Sequence, residues 1–128
     1  MSSYPDDRQY TADHEWIAVD GQTARVGITA YAAEALGDVV YVDLPEAGTE
    51  ITAGETCGEI ESTKSVSDLV APATGEILAV NTAAVDEPET VGTDPHEEGW
   101  LYTLRVDELP DGLMDAEAYQ GFVAGGAA

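Results

Sequence analysis

Apolar and polar positions along the chain change period several times, and each change marks an element. Residues 11–19 read as a strand, Asp20-Gly21 follows as a two-residue hairpin signal, and residues 23–28 read as the return strand. The next segment is helical. Thr29 stands as an N-cap, residues 30–36 are mostly good helix formers, and Gly37 sits where a left-handed C-terminal residue belongs. A strand of β-branched and aromatic residues over 39–44 is then stopped by Pro45, Glu46, Ala47 and Gly48.

From there turn residues recur roughly every eight to twelve positions, the spacing of a small all-β sandwich or barrel. They separate strands predicted at residues 56–62, 66–71, 76–81 and 100–106. Alternation is clearest in the last: Trp100, Tyr102, Leu104 and Val106 share one face, with Thr103 and Arg105 on the other. A short echo matches Ala47-Gly48-Thr49-Glu50-Ile51 to Ala73-Thr74-Gly75-Glu76-Ile77 and hints at two similar halves about a pseudo-two-fold axis. After Pro110-Asp111-Gly112 the pattern turns helical again, with Asp115 as cap, a helix from Ala116 to about Val123, and Leu113, Tyr119 and Phe122 as docking residues. The organisation predicted is one domain over 1–128, with a core at about 10–107, a C-terminal helical segment at about 113–123 and a frayed tail at 124–128.

Charge narrows the partners. Four basic side chains against 26 acidic ones give a net charge of −22, which argues against nucleic acid or an anionic membrane surface. The acids are spread along the chain rather than gathered in a tail. Self-repulsion on this scale fades when salt at about 1 M shrinks the Debye length to about 3 Å, so a salt-rich cytoplasm is the predicted setting. The single cysteine, Cys57, has no internal disulfide partner and is expected to pack as a small buried thiol. Residues 1–10 hold no apolar run, and no stretch reaches the length of a membrane span, so the expected location is the cytoplasm.

Of the four basic residues only Lys64 is a lysine, and the strands predicted on either side put it at a hairpin tip. A stiff two-stranded stalk presents a flexible side chain to an incoming enzyme without unfolding anything. Glu59, Glu61 and Asp68 lie close in sequence and favour its ammonium form, so it suits attachment better than nucleophilic catalysis. Trp16 and Trp100 are expected in the core. His14-Glu15 invites an acid/base reading, but a strand-entry pair is more often structural. His96 with Asp94, Glu97 and Glu98 lacks a known ligand spacing and is expected to be a solvated acidic loop. Without a phosphate loop, a Ser/His/Asp order or paired cysteines, the chain does not read as an enzyme acting alone on a small substrate.

Glu61-Ser62-Thr63-Lys64-Ser65, then Ser67-Asp68 and Ala71-Pro72-Ala73-Thr74-Gly75-Glu76-Ile77, closely resembles the lipoyl-attachment segment of the glycine cleavage system H proteins. Thr11, His14-Glu15-Trp16, Val26-Gly27-Ile28-Thr29, Leu36-Gly37-Asp38, Val42-Asp43-Leu44-Pro45, Gly99-Trp100-Leu101 and Leu113-Met114-Asp115 with Tyr119 resemble that family in the same order. A biotin carrier would have Met on both sides of its lysine, where Thr63 and Ser65 stand.

The resemblance implies a mainly β barrel-sandwich hybrid, like the lipoyl and biotinyl carriers, with a short internal helix and a C-terminal helix. It implies lipoate in amide linkage to Lys64, within an attachment motif that includes Glu61, Ser62 and Asp68, and an arm cleft at Glu15 and Asp68. Such a protein is a carrier and not a catalyst. The implied partners are glycine decarboxylase, a pyridoxal phosphate enzyme that loads an aminomethyl group; aminomethyltransferase, which unloads it; dihydrolipoyl dehydrogenase; and a lipoylating enzyme. The alternative is an H-like relay that passes lipoyl groups to other lipoyl domains. Asp13 and Ala35 depart from relatives that have Ser and His there, which implies a more acidic cleft.

Overall fold

The computed structural model describes residues 4–124. In chain order the elements are β1 (Gln9–Tyr10), β2 (Glu15–Asp20), β3 (Thr23–Ile28), α1 (Ala30–Leu36), β4 (Val39–Asp43), β5 (Glu50–Ile51), β6 (Thr56–Ser62), β7 (Val66–Val70), β8 (Thr74–Val80), α2 (Thr82–Asp86), α3 (Glu89–Thr93), β9 (Tyr102–Glu108) and α4 (Ala116–Ala124). Six strands form an antiparallel sheet in the order β1-β2-β3-β9-β8-β5, and three form a second sheet in the order β4-β6-β7. This is the expected mainly β sandwich with a C-terminal helix.

The strand period of two decides which side chains go inside. Ile17, Val26, Ile28, Ile77 and Leu104 of the larger sheet pack with Val42, Ile60 and Leu69 of the smaller in one apolar core. Trp16 points the other way, into a second cluster with Tyr4, Tyr10, Ala116 and Tyr119 that seats α4. Gly27 lies opposite Trp16 in the β2–β3 register. A Cβ on Gly27 would stand 2.6 Å from the Trp16 ring, so only glycine leaves room for the indole.

Caps follow the sequence closely. Thr29 Oγ1 accepts the Ala32 N–H at 3.2 Å and starts α1. Gly37 ends it with φ 80°. Asp115 Oδ1 accepts from Ala118 N at 2.8 Å and starts α4.

Elsewhere the boundaries move. The strand predicted from residue 11 begins at Glu15, because the hydrogen bond from His14 N to Thr11 O closes a turn before it. Asp20 pairs with Thr23, so the hairpin loop is Gly21 and Gln22 rather than Asp20 and Gly21. Trp100 lies ahead of β9, just past a turn that its N–H closes on Glu97 O at 3.3 Å. Helices α2 and α3 were not expected: each is five residues long and Pro88 sits between them, too little chain for a helical period to show. The C-terminal helix runs on through Ala124, one residue into the predicted tail; residues 125–128 lie outside the described residues. The two echo segments meet in an antiparallel pair, Glu50 opposite Glu76.

Candidate functional site

Lys64 stands in the turn between β6 and β7, exposed, as predicted. Ser62 builds that turn. Its hydroxyl donates to Ser65 O at 3.1 Å and accepts from the backbone N–H groups of Lys64 and Ser65 at 3.2 and 3.1 Å. A short side-chain hydroxyl that closes a turn over its own backbone is the chemistry that favours serine here. Thr63 N donates to Asp38 O at 3.1 Å and ties the tip to the end of α1. The lysine stem lies over Gly37: a Cβ on Gly37 would stand 3.2 Å from Lys64 Cε and 3.7 Å from Nζ. Among the described residues Lys64 makes no ion pair within 4.0 Å.

Beside the tip, α1 and β7 enclose a cleft of about 280 Å³. Ser65, Val66, Ser67 and Asp68 line it on the hairpin side, Tyr31, Ala32, Ala35 and Leu36 on the helix side, and Ile28, Ile60 and Leu69 at its apolar base. Asp13, His14 and Glu15 complete the wall. Asp13 and Ala35 therefore both face this space. A second cleft of about 400 Å³ lies around Arg8, Trp16 and Arg25 and does not include the hairpin.

Glu15 is the unusual member. Sharing the inward face of β2 with Ile17, it is only 3% exposed. Its Oε2 reaches the smaller sheet and accepts the N–H of Val70 at 2.7 Å. Its Oε1 is buried with no partner among the described residues. Burial pushes the carboxyl up to about 8 against the opposing effect of the Val70 N–H, so near neutral pH the group is largely uncharged. The result is a buried acid beside a cleft, with one oxygen uncommitted.

His14 holds the cleft wall in an uncommon backbone conformation, φ 67°. Its Nδ1 is 2.7 Å from the Tyr119 hydroxyl, which is 2.8 Å from Thr29 Oγ1. Its ring packs against Tyr31 at 4.6 Å between centroids. Burial lowers the imidazole pKa, against the opposing effect of Asp13, and so favours the neutral ring. A chain of polar contacts thus links α4, the cleft wall and the cap of α1. Tyr119 is the docking residue expected, but its link to His14 and Thr29 leaves no signal in the sequence, because nothing local connects residues so far apart in the chain.

Other candidates resolve into structure. His96 is half-buried rather than part of a solvated loop: its Nε2 accepts Ala30 N at 3.1 Å, and its carbonyl accepts from Arg8 at 2.7 Å. Burial and the nearby Arg8 guanidinium push its pKa down, which suits a neutral acceptor. Among the described residues no group of three or more His, Cys, Asp or Glu is placed to hold a metal. Trp16 is fully buried and its indole N–H donates to Pro95 O at 2.9 Å; Trp100 is half-buried beneath Arg25. Cys57 is half-buried near the Tyr102 hydroxyl at 3.7 Å, and burial pushes its thiol up to about 11, so little thiolate exists to react. No helix among the described residues is long and apolar enough to cross a membrane.

Comparison with known proteins adds the rest. Residues 8–125 match the family described as glycine cleavage H-protein. The chain is similar to the glycine cleavage system H protein of Beutenbergia cavernae, at 57% identity over 96% of this chain and 98% of that one. It is similar to that of Thermobifida fusca at 53% identity with the same coverage. It also superposes on the crystal structure of a glycine cleavage system H protein from Mycobacterium marinum, with TM-score 0.90 and 54% identity over 94% of this chain and 99% of that one.

Proposed function

The chain belongs to the glycine cleavage H-protein family and is a lipoyl carrier component of that system, and from that premise we propose that Lys64 is the lysine that holds the lipoyl group. The observation that carries this reading is the placement of the only lysine of the chain on a fixed hairpin tip beside a cleft with an uncommitted buried acid.

The residues fit such a group. Ile28, Leu36 and Leu69 offer apolar wall, while Glu15, Asp13 and Asp68 make one side acidic. When bound, lipoate supplies a disulfide that accepts the aminomethyl unit of glycine and a dithiol that is later reoxidised. The chain's own residues position and shelter that cargo. Asp68 and Glu15 would hold a cationic amine as charge-assisted hydrogen-bond acceptors. The approach of a cation favours the charged form of Glu15, so the acid would release its proton as the amine seats. Shielding from water protects a labile adduct without requiring any catalytic group in the carrier.

In this reading glycine decarboxylase, a pyridoxal phosphate enzyme, loads the carrier, aminomethyltransferase unloads it to tetrahydrofolate, and dihydrolipoyl dehydrogenase restores the disulfide. The setting is the cytoplasm, and the carrier catalyses nothing alone. An acidic seat for an amine favours this role over that of a lipoate relay, which has no amine to hold.

The test is Lys64→Arg in a mixture of lipoylating enzyme, lipoate and the three partner enzymes. Intact mass should rise by one lipoyl group on the parent protein and not on the variant, and glycine turnover should vanish with it. Equal turnover by the variant would refute the assignment.

A further inference from the structure

The outward face of the smaller sheet carries an exposed surface that extends beyond the cleft, with Val66 and Asp68 shared between the two. Tyr41 of β4 lies opposite Glu61 of β6, and Glu61 lies opposite Val66 of β7, so the three stand side by side next to the Lys64 turn. Tyr41 is 50% exposed, Val66 56%, and Val40, at a bulge in β4, 54%. Two positions farther from the tip the same register aligns Asp43, Glu59 and Asp68, all exposed. Like charges directly opposite one another across strands are destabilising. Among the described residues no cation pairs with any of the three: Arg8 is held by Asp7, Arg105 by Glu76 and Asp107, and Arg25 lies over Trp100.

Resting on the assignment of Lys64 above, we propose that this face is the docking surface for the enzyme that forms the amide on Lys64, and that the enzyme meets it with an apolar recess bordered by arginine or lysine. Reach singles out this partner. Enzymes that act on the dithiolane need only the far end of an eight-carbon acyl chain, or the cleft that shelters it, and not Nζ itself. The acylating enzyme must bring its active site to Nζ, which rests against Gly37. There the amine attacks the carbonyl carbon of a lipoyl adenylate, the new C–N bond forms as AMP leaves with the electron pair, and the amine loses its proton to a base. Tyr41, opposite Glu61 at the tip end of the sheet, and the adjacent Val40 are the exposed apolar side chains that β4 offers an enzyme approaching the Lys64 turn. Complementary charge on that enzyme relieves the Asp43–Glu59–Asp68 row, and the exposed phenol ring supplies the kind of anchor that concentrates binding energy.

The experiment uses the full-length unmodified chain with a purified ATP-dependent lipoate ligase, following the initial rate by intact mass. Tyr41→Ser, and separately the double variant Asp43→Asn/Glu59→Gln, should each lower kcat/KM about tenfold through KM, with kcat within about twofold of the parent. The charge variant should also show a shallower loss of rate with added salt. Once fully lipoylated, both should be reduced by dihydrolipoyl dehydrogenase run in reverse with NADH as the electron donor, at the parent's rate. Circular dichroism melts check folding, and the charge variant keeps the test open if Tyr41→Ser melts early. Lipoylation of both variants at the parent's kcat/KM overturns the proposal, as does an equal fall in the dehydrogenase rate. If the parent itself accepts no lipoyl group, it is the assignment of Lys64 that fails, and this proposal falls with it.

Discussion

Lys64 rests its side chain on Gly37, whose missing Cβ would otherwise stand 3.2 Å from Lys64 Cε. Gly37 also has φ 80° and ψ −135°, a conformation that side-chain-bearing residues adopt only with strain. Gly37→Ala should therefore cost about 1–3 kcal/mol in a urea melt and also slow lipoylation of Lys64 by displacing its stem. A variant as stable and as readily lipoylated as the parent would contradict the packing described.

Glu15 ties protonation to stability. Its folded pKa of about 8 lies above the ordinary carboxyl value of 4.5, so the folded state retains a proton that the unfolded chain releases. Its contribution is fully present below about pH 4.5 and is lost as pH rises through about 8. Glu15→Gln removes this titration. The difference in unfolding free energy between variant and parent should shift toward the variant from pH 5 to pH 8.5, by up to a few kcal/mol. A pH-independent difference would show that Glu15 is ionised in the fold.

Tyr119→Phe removes the hydroxyl between His14 Nδ1 and Thr29 Oγ1 without changing the ring that packs in the second cluster. Leaving two polar groups short of a partner should cost about 1–3 kcal/mol. Hydrogen exchange should show faster opening of α4 and of the first turn of α1 together. Faster exchange in α4 alone would mean that the contact does not join them.

Salt should stabilise this chain. With a net charge of −22, raising potassium chloride from roughly 0.1 M to roughly 1 M shortens the Debye length from about 10 Å to about 3 Å, and Tm should rise steadily across that range. A falling Tm would remove the idea of an acidic surface adapted to salt.

The elements legible in the sequence are those fixed by neighbours along the chain. Thr29, Gly37 and Asp115 announce helix ends through local hydrogen bonding and backbone freedom, and all three stand where expected. The Lys64 hairpin was legible because β-branched residues flank a serine-rich turn. What stayed hidden depends on distant partners. Glu15 looks like a surface carboxylate beside His14, and only the approach of β7 gives it Val70 and takes away its water. The parity of Glu15 with Ile17, opposite to Trp16, was the available clue to its inward direction. His96 misled for the same reason: three acids nearby in sequence suggested solvent, while its ring in space caps α1.

The bond from Thr63 N–H to Asp38 O has a kinetic corollary. It moors the hairpin tip to the body of the protein, so a lipoyl group on Lys64, as proposed, would sweep a distance set by one side chain and its acyl extension, with no contribution from a loose peptide tether. An arm that short would serve one enzyme at a time. Flux through the cycle is then governed by how often whole carriers exchange between them, and raising the carrier-to-enzyme ratio should speed it until an enzyme saturates.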